Sequence, residues 1–99
     1  MSQDYLQDFV REAEEQITDL NNALLALESD PDDREAMGQI FRIAHTLKGN
    51  AGAMGFDGAA NLAHAIEDLL DEIRDGRIEV TPTVMDLIFS GIDGIEAII

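Results

Sequence analysis

The chain contains no cysteine, which removes disulfide frameworks, thiolate zinc sites and cysteine nucleophiles, and makes a small secreted scaffold a poor description. Apolar runs of the roughly 20 residues needed to span a membrane are also missing. The opening Met1-Ser2-Gln3-Asp4 is acidic and lacks the apolar core of a signal segment. A cytoplasmic location is the expectation that follows. Cations are scarce: 6 Lys and Arg stand against 21 Asp and Glu, for a formal net charge of −15. A polyanion is repelled by such a molecule, so neither nucleic acid nor an anionic membrane is an expected partner. Alternating apolar and polar runs are lacking as well, and Ile78–Val80 is too short to supply a sheet.

What is present is enough for one core. At 99 residues, 45% of them hydrophobic, the chain reads as a single domain over residues 1–99 that folds alone in spite of its charge. Leu6, Phe9, Val10, Ala13, Ile17, Leu20, Leu24 and Leu27 recur at the three-and-four spacing of a long first helix from Tyr5 to Leu27. Glu28-Ser29-Asp30-Pro31 breaks it, and Asp32 with Glu35 three residues later predicts a capped start to a second helix. Met37, Ile40, Phe41, Ala44 and Leu47 form its apolar side, and Gly49, Gly52 and Gly55 place its end within that stretch. Met54 and Phe56 then anchor a short loop. Asp57 is the expected cap of a third helix carrying Ala59, Leu62, Ala63, Ile66, Leu69, Leu70 and Ile73, with Gly76 just past its end. Thr81-Pro82 starts a fourth, with Val84, Leu87, Ile88, Ile92 and Ile95 as its apolar set and an end blurred by Gly91 and Gly94. Four such helices on short connections predict an all-α, antiparallel up-and-down four-helix bundle.

The two histidines each have a charged residue three positions later: Lys48 after His45, and Glu67 after His64. Such pairs share a helix face. At about 100° per residue, His45 falls beside the apolar arc, roughly in line with Gly38, Gly49 and Gly52. Glu67 sits at the edge of the arc of its own helix, so antiparallel neighbours can bring it opposite His45. A carboxylate that accepts from Nδ1–H fixes the tautomer leaving the Nε2 lone pair free, and stabilises the cationic ring formed when Nε2 attacks phosphorus. A phosphoryl group brings close to two negative charges, which this acidic molecule opposes unless a cation stands near. Lys48, the one lysine of the chain, is a helical turn away. Each element also has a plainer structural reading: a histidine at a core edge, a surface ion pair, a glycine helix stop. His64, further onto the polar side, is by spacing alone a solvated residue.

The run Ile43-Ala44-His45-Thr46-Leu47-Lys48-Gly49-Asn50-Ala51-Gly52-Ala53-Met54-Gly55-Phe56 resembles the phosphorylation motif of histidine phosphotransfer domains, with its H-x-x-K-G core. Leu62-Ala63-His64-Ala65-Ile66-Glu67-Asp68-Leu69-Leu70 and Arg74-Asp75-Gly76-Arg77 are similar to the third-helix segment of the branch found in CheA-type chemotaxis kinases. The resemblance implies that His45 is phosphorylated through Nε2, that Glu67 orients its ring, and that Lys48 steadies the phosphoryl charge. It further implies that His64 joins the same hydrogen-bond network and that Gly49 leaves room for an incoming active site. By the same resemblance this domain is a phosphoacceptor with no ATP site, cofactor or metal of its own, and is not an enzyme by itself. A separate ATP-binding domain of the parent histidine kinase, on the partner subunit of a dimer, supplies the phosphoryl group. Receiver domains of response regulators then take it onto an aspartate with magnesium in their own site. The isolated domain is expected to be a monomer. The family's domain usually carries a further helix, and the apolar Ile98-Ile99 reads as a cut within a longer, multidomain protein.

Two rival readings fit less well. Di-iron bundles need Glu-x-x-His twice with further glutamates, whereas the order here is His64-x-x-Glu67 once, and Lys48 repels a cation. An adaptor bundle without chemistry has no need of histidine, lysine and glycine at this spacing. The acid excess also fits life at high salt, where the Debye length shrinks to about 3 Å near 1 M and self-repulsion is screened. On that reading the melting temperature rises between dilute buffer and molar KCl; calorimetry that finds it flat or falling removes the idea.

Overall fold

The computed structural model describes residues 3–99; Met1 and Ser2 of the acidic N-terminus lie outside the described residues. Four helices follow one another, α1 (Gln3–Ser29), α2 (Arg34–Ala53), α3 (Asp57–Arg74) and α4 (Pro82–Ile98), with no strand among the described residues. The connections span only residues 30–33, 54–56 and 75–81, so each helix must run back along its predecessor. α2 packs against α1 and α3, and α4 against α3 and α1, which closes a four-cornered bundle 43 Å long and 19 Å across. The expected all-α up-and-down four-helix bundle is the observed fold.

Local sequence explains most of the joints. Asp30 accepts the Asp32 N–H at 3.1 Å and its carbonyl accepts the Asp33 N–H at 3.0 Å. Asp32 is thereby held inside the turn, and the cap falls one residue later than the spacing predicts: Asp33 accepts the Ala36 N–H at 3.0 Å. α2 ends at Ala53, within the glycine stretch as expected, and Gly55, at φ +84°, closes it. The Phe56 N–H reaches back to Ala51 O at 2.8 Å and the Gly55 N–H to Gly52 O at 3.1 Å, a Schellman closure in which the left-handed residue must be Gly. Gly49 and Gly52 remain helical. The same closure recurs at Gly76, φ +78°, where the sequence places it.

The expected cap of α3 is a correction. Asp57 is the first helical residue, and the capping position belongs to Phe56, which offers no side-chain acceptor. Phe56 is placed instead by its ring, stacked on Phe9 of α1 at 5.4 Å between centroids, while Asp57 puts negative charge in the first turn, where the helix dipole favours it. Thr81 caps α4 as read, accepting the Val84 N–H at 3.2 Å, with Pro82 following.

The core is a stack of buried aliphatics, among them Leu20, Leu24 and Leu27 of α1, Ile40 and Leu47 of α2, Leu70 of α3 and Ile88, Ile92 and Ile95 of α4. Two apolar residues leave their expected places. Leu87 is 63% exposed and Leu6 39% exposed. On α4 the buried stripe is Met85, Ile88, Ile92 and Ile95, and Leu87, two positions from Met85 and so about 200° around the helix, points outward. Nor do Gly91 and Gly94 fray the end of α4, which runs to Ile98. A Cβ at Gly91 would lie 3.3 Å from Ile66 Cδ1 and one at Gly94 3.0 Å from Leu62 Cδ1. These glycines let α3 side chains seat against the α4 backbone.

The revised stripe is testable by urea denaturation. Met85→Ala is expected to cost about 2–5 kcal/mol, as buried large-to-small changes do, and Leu87→Ala to stay within about 0.5 kcal/mol. Equal losses would restore Leu87 to the core.

Candidate functional site

α2 and α3 are antiparallel neighbours, and their contact brings together three of the five residues that the sequence singles out. His45, on the outward side of α2, has its side chain 72% exposed, while that of Glu67, across on α3, is only 14% exposed. His45 Nδ1 lies 3.4 Å from Glu67 Oε2, and Lys48 Nζ, one turn further along α2, lies 2.8 Å from Glu67 Oε1. One carboxylate thus serves both an imidazole and an ammonium.

Burial pushes the Glu67 carboxyl up and is the largest single influence on it. Hydrogen bonds from Lys48 and His45, with the attraction of their charges, together outweigh that effect and hold the carboxyl below its ordinary value of 4.5. Glu67 is therefore ionised at neutral pH. An ionised carboxylate can only accept, so His45 Nδ1 must carry the hydrogen and donate it, and in the neutral ring Nε2 is left with its lone pair. The Lys48 side chain is 30% exposed. It is not a free cation awaiting a phosphoryl group but one already engaged with Glu67, able to share its remaining N–H donors.

Gly49 lies one turn beyond His45, and a Cβ placed on it would meet nothing within 4 Å. Its lack of a side chain leaves open surface rather than relieving a contact. His64 is not brought into the group. Its Nε2 faces Asp68 Oδ1, one turn along α3, at 3.6 Å, and both side chains are well exposed. The expected shared network is corrected accordingly: the i, i+4 position of Asp68 offers His64 a nearer carboxylate than Glu67 does. The spacing argument also passes over Arg42, one turn before His45, which a count of charge helix by helix would have picked out. Among the described residues no group of three or more His, Asp or Glu is arranged to hold a metal ion, and no helix is long and apolar enough to cross a membrane.

The family model of the Hpt domain matches residues 4–98. The chain belongs to the Hpt domain family. It is 70% identical over 94 residues to the chemotaxis protein CheA of Halobacterium salinarum, a match covering 95% of this chain and 14% of that protein. The chain therefore spans about one seventh of that relative's length. The CheA phosphotransferase domain of Thermotoga maritima superposes with a TM-score of 0.90 at 44% identity, over 98% of this chain and 93% of that one. The phosphorylated P1 domain of CheA3 from R. sphaeroides, solved in complex with CheY6, shares the fold with a TM-score of 0.84 at 24% identity, over 97% and 75%. In sequence and in fold this Hpt domain is thus similar to the phosphotransferase domain of CheA proteins.

The electrostatics carry a sign that can be checked. Because the folded value of Glu67 is lowered, its ionised form adds stability that is complete above its ordinary 4.5 and is lost as pH falls through the lowered folded value. Urea midpoints of wild type and Glu67→Gln should differ in favour of wild type at neutral pH and converge in acid. A gap that stays constant through that range would mean the ion pair is not its source.

Proposed function

We propose that His45 is the residue of this Hpt domain that carries the phosphoryl group, and that the chain works as one domain of a multidomain, cytoplasmic chemotaxis-type histidine kinase. The observation that carries this reading is the Nδ1 contact of His45 with an ionised Glu67, which selects the neutral tautomer whose Nε2 keeps its lone pair, on a side chain that is largely exposed.

In the first step Nε2 attacks the γ-phosphorus of ATP held, with magnesium, by a separate domain of the kinase, in trans within a dimer. A P–N bond forms, the P–O bond to ADP breaks, and ADP leaves with the electron pair. Glu67 offsets the positive charge that develops on the ring. Lys48, a compact ammonium within one helical turn, shares its donors between Glu67 and the phosphoryl oxygens. In the second step an aspartate oxygen of a response-regulator receiver attacks the same phosphorus, the P–N bond breaks, and the pair returns to Nε2. The domain supplies the nucleophile and its orientation; ATP and magnesium belong to its partners, so by itself it is an acceptor and not an enzyme. A receiver as acceptor is compatible with the fold, since the R. sphaeroides P1 domain that shares it forms a complex with CheY6.

Gly49 keeps the approach to Nε2 open on this reading. His64, paired with Asp68, stands outside the reacting group and is at most a neighbour of the docking face.

The test is incubation with ATP and a CheA-type ATP-binding domain. Wild type is expected to take an acid-labile, alkali-stable label and His45→Gln none, with helicity unchanged. Glu67→Ala should slow labelling by about 10²-fold, the loss that misplacing a reacting group by about an ångström can cause, and Lys48→Ala should slow transfer while leaving the fold intact. Label that persists on His45→Gln moves the nucleophile elsewhere.

A further inference from the structure

Charge is distributed very unevenly over the four helices. α1, α3 and α4 are each strongly acidic, whereas α2 carries Arg34, Arg42 and Lys48 against a single acid, Glu35. The helix that bears His45 is the one net-positive helix of a molecule of net charge −15.

The cations of α2 also differ in how they are used. Arg11, Arg74 and Arg77 are tied to carboxylates of their own neighbourhood, and Lys48 to Glu67. Arg34 and Arg42 are in no ion pair among the described residues, although acids outnumber bases more than threefold in the chain. Arg42 shares a shallow groove with Asp19 and Asn22 of α1 without an ion pair to Asp19. Its guanidinium lies back over Gly38, where a Cβ would be 3.7 Å from Nη1. On the helical wheel Arg34, Gly38, Arg42, His45 and Gly49 fall within about 80° of one another, on the side away from buried Ala36, Ile40, Ala44, Leu47 and Ala51. His45 is therefore flanked by Lys48 and Glu67 toward α3, and by an unpaired guanidinium on the opposite, α1 side.

We propose that this strip, with Arg42 as its principal contact, is the docking surface for the acidic rim of a receiver's aspartate pocket, and that it acts in delivery of the phosphoryl group rather than in its acquisition. The proposal rests on the function assigned above to His45. Both partners must approach the same Nε2, and their charges differ. A site that holds ATP must counter the charge of its phosphates and is cation-rich where it meets His45, so Arg42 gains nothing from it. A receiver site that accepts onto an aspartate and holds a hard divalent cation is lined with carboxylates. Against such a rim Arg42 supplies the opposite charge, and it keeps two acidic proteins from repelling each other at the one place where they must touch.

The experiment labels the chain with ATP and a CheA-type ATP-binding domain, removes the donor, and follows transfer to a purified CheY-type receiver over a range of KCl. Arg42→Glu is compared with Arg11→Glu, an equal charge change on α1. The expected result is a fall of about tenfold in the second-order transfer rate for Arg42→Glu at low salt, a gap that narrows toward molar KCl, a smaller fall for Arg42→Gln, and less than twofold for Arg11→Glu. Circular dichroism checks that each variant is folded. Transfer by Arg42→Glu at the wild-type rate overturns the proposal, as does an equal fall for Arg11→Glu, which would make the effect one of net charge. Slower labelling with unchanged delivery also overturns it, by assigning Arg42 to the donor. A wild-type chain that takes no label sinks the phosphoacceptor reading itself, an outcome distinct from a labelled chain whose delivery ignores Arg42.

Discussion

The Glu67 carboxylate is the one polar tie between α2 and α3 at the site, and the chemistry of this domain depends on where it sits. Its two oxygens face different partners, one the imidazole of His45 at 3.4 Å and the other the ammonium of Lys48 at 2.8 Å. Because Glu67 is largely buried while His45 is largely exposed, the anion is held rigidly and the nucleophile is presented to solvent. A charge with one side against the bundle and two N–H donors in front of it, the Lys48 ammonium and the His45 ring, has little freedom to move away. The tautomer of the reactive ring follows from that placement, with no need for a further residue.

The bundle exists to fix that geometry. Joints closed by Gly55 and Gly76 set how far α2 and α3 run before they turn, and the stacking of Phe56 on Phe9 pins the end of the bundle at which α2 passes into α3. On the far side Gly91 and Gly94 let α4 close on α3. A side chain at either position would press on the tips of Ile66 and Leu62 of α3, the helix on which Glu67 rides. Fold and reactivity are connected through helix spacing: a shift of an ångström between α2 and α3 is enough to part a 3.4 Å contact.

Much of this was legible in the sequence because period and punctuation agree: the three-and-four spacing, Gly76, and Thr81 before Pro82 all point to the same four helices. The misses fall where a local rule met a competing contact. Asp32 lost the cap to Asp33 because Asp30 had already engaged its N–H. Asp57 lost it to Phe56, whose place was set by a ring on another helix. Leu87 and Met85 exchanged roles because a two-residue step on a helix changes the face, and an apolar residue type alone cannot say which member of the pair faces inward. His45, Lys48 and Glu67 were readable as a group, since residues three apart on facing helices must share a groove. The partner of His64 was not, because its own i+4 acid competes with Glu67 for it. Arg42 stands out once charge is counted helix by helix, but that it forms no ion pair among the described residues is a property of the folded chain.

The exposure of His45 has a kinetic consequence. A single nitrogen on an outward helix face offers one point of attack, and either partner must bring a phosphorus or an oxygen to within about 3–3.5 Å of the reacting centre. Two globular domains cannot both occupy that position. On the proposed function the module therefore works by double displacement: the donor departs before the acceptor arrives, the phosphorylated domain stands alone in between, and each partner is a competitive inhibitor of the other. Signal flux then depends on how often the strip around His45 is vacant, so the abundance of one partner sets the waiting time of the other.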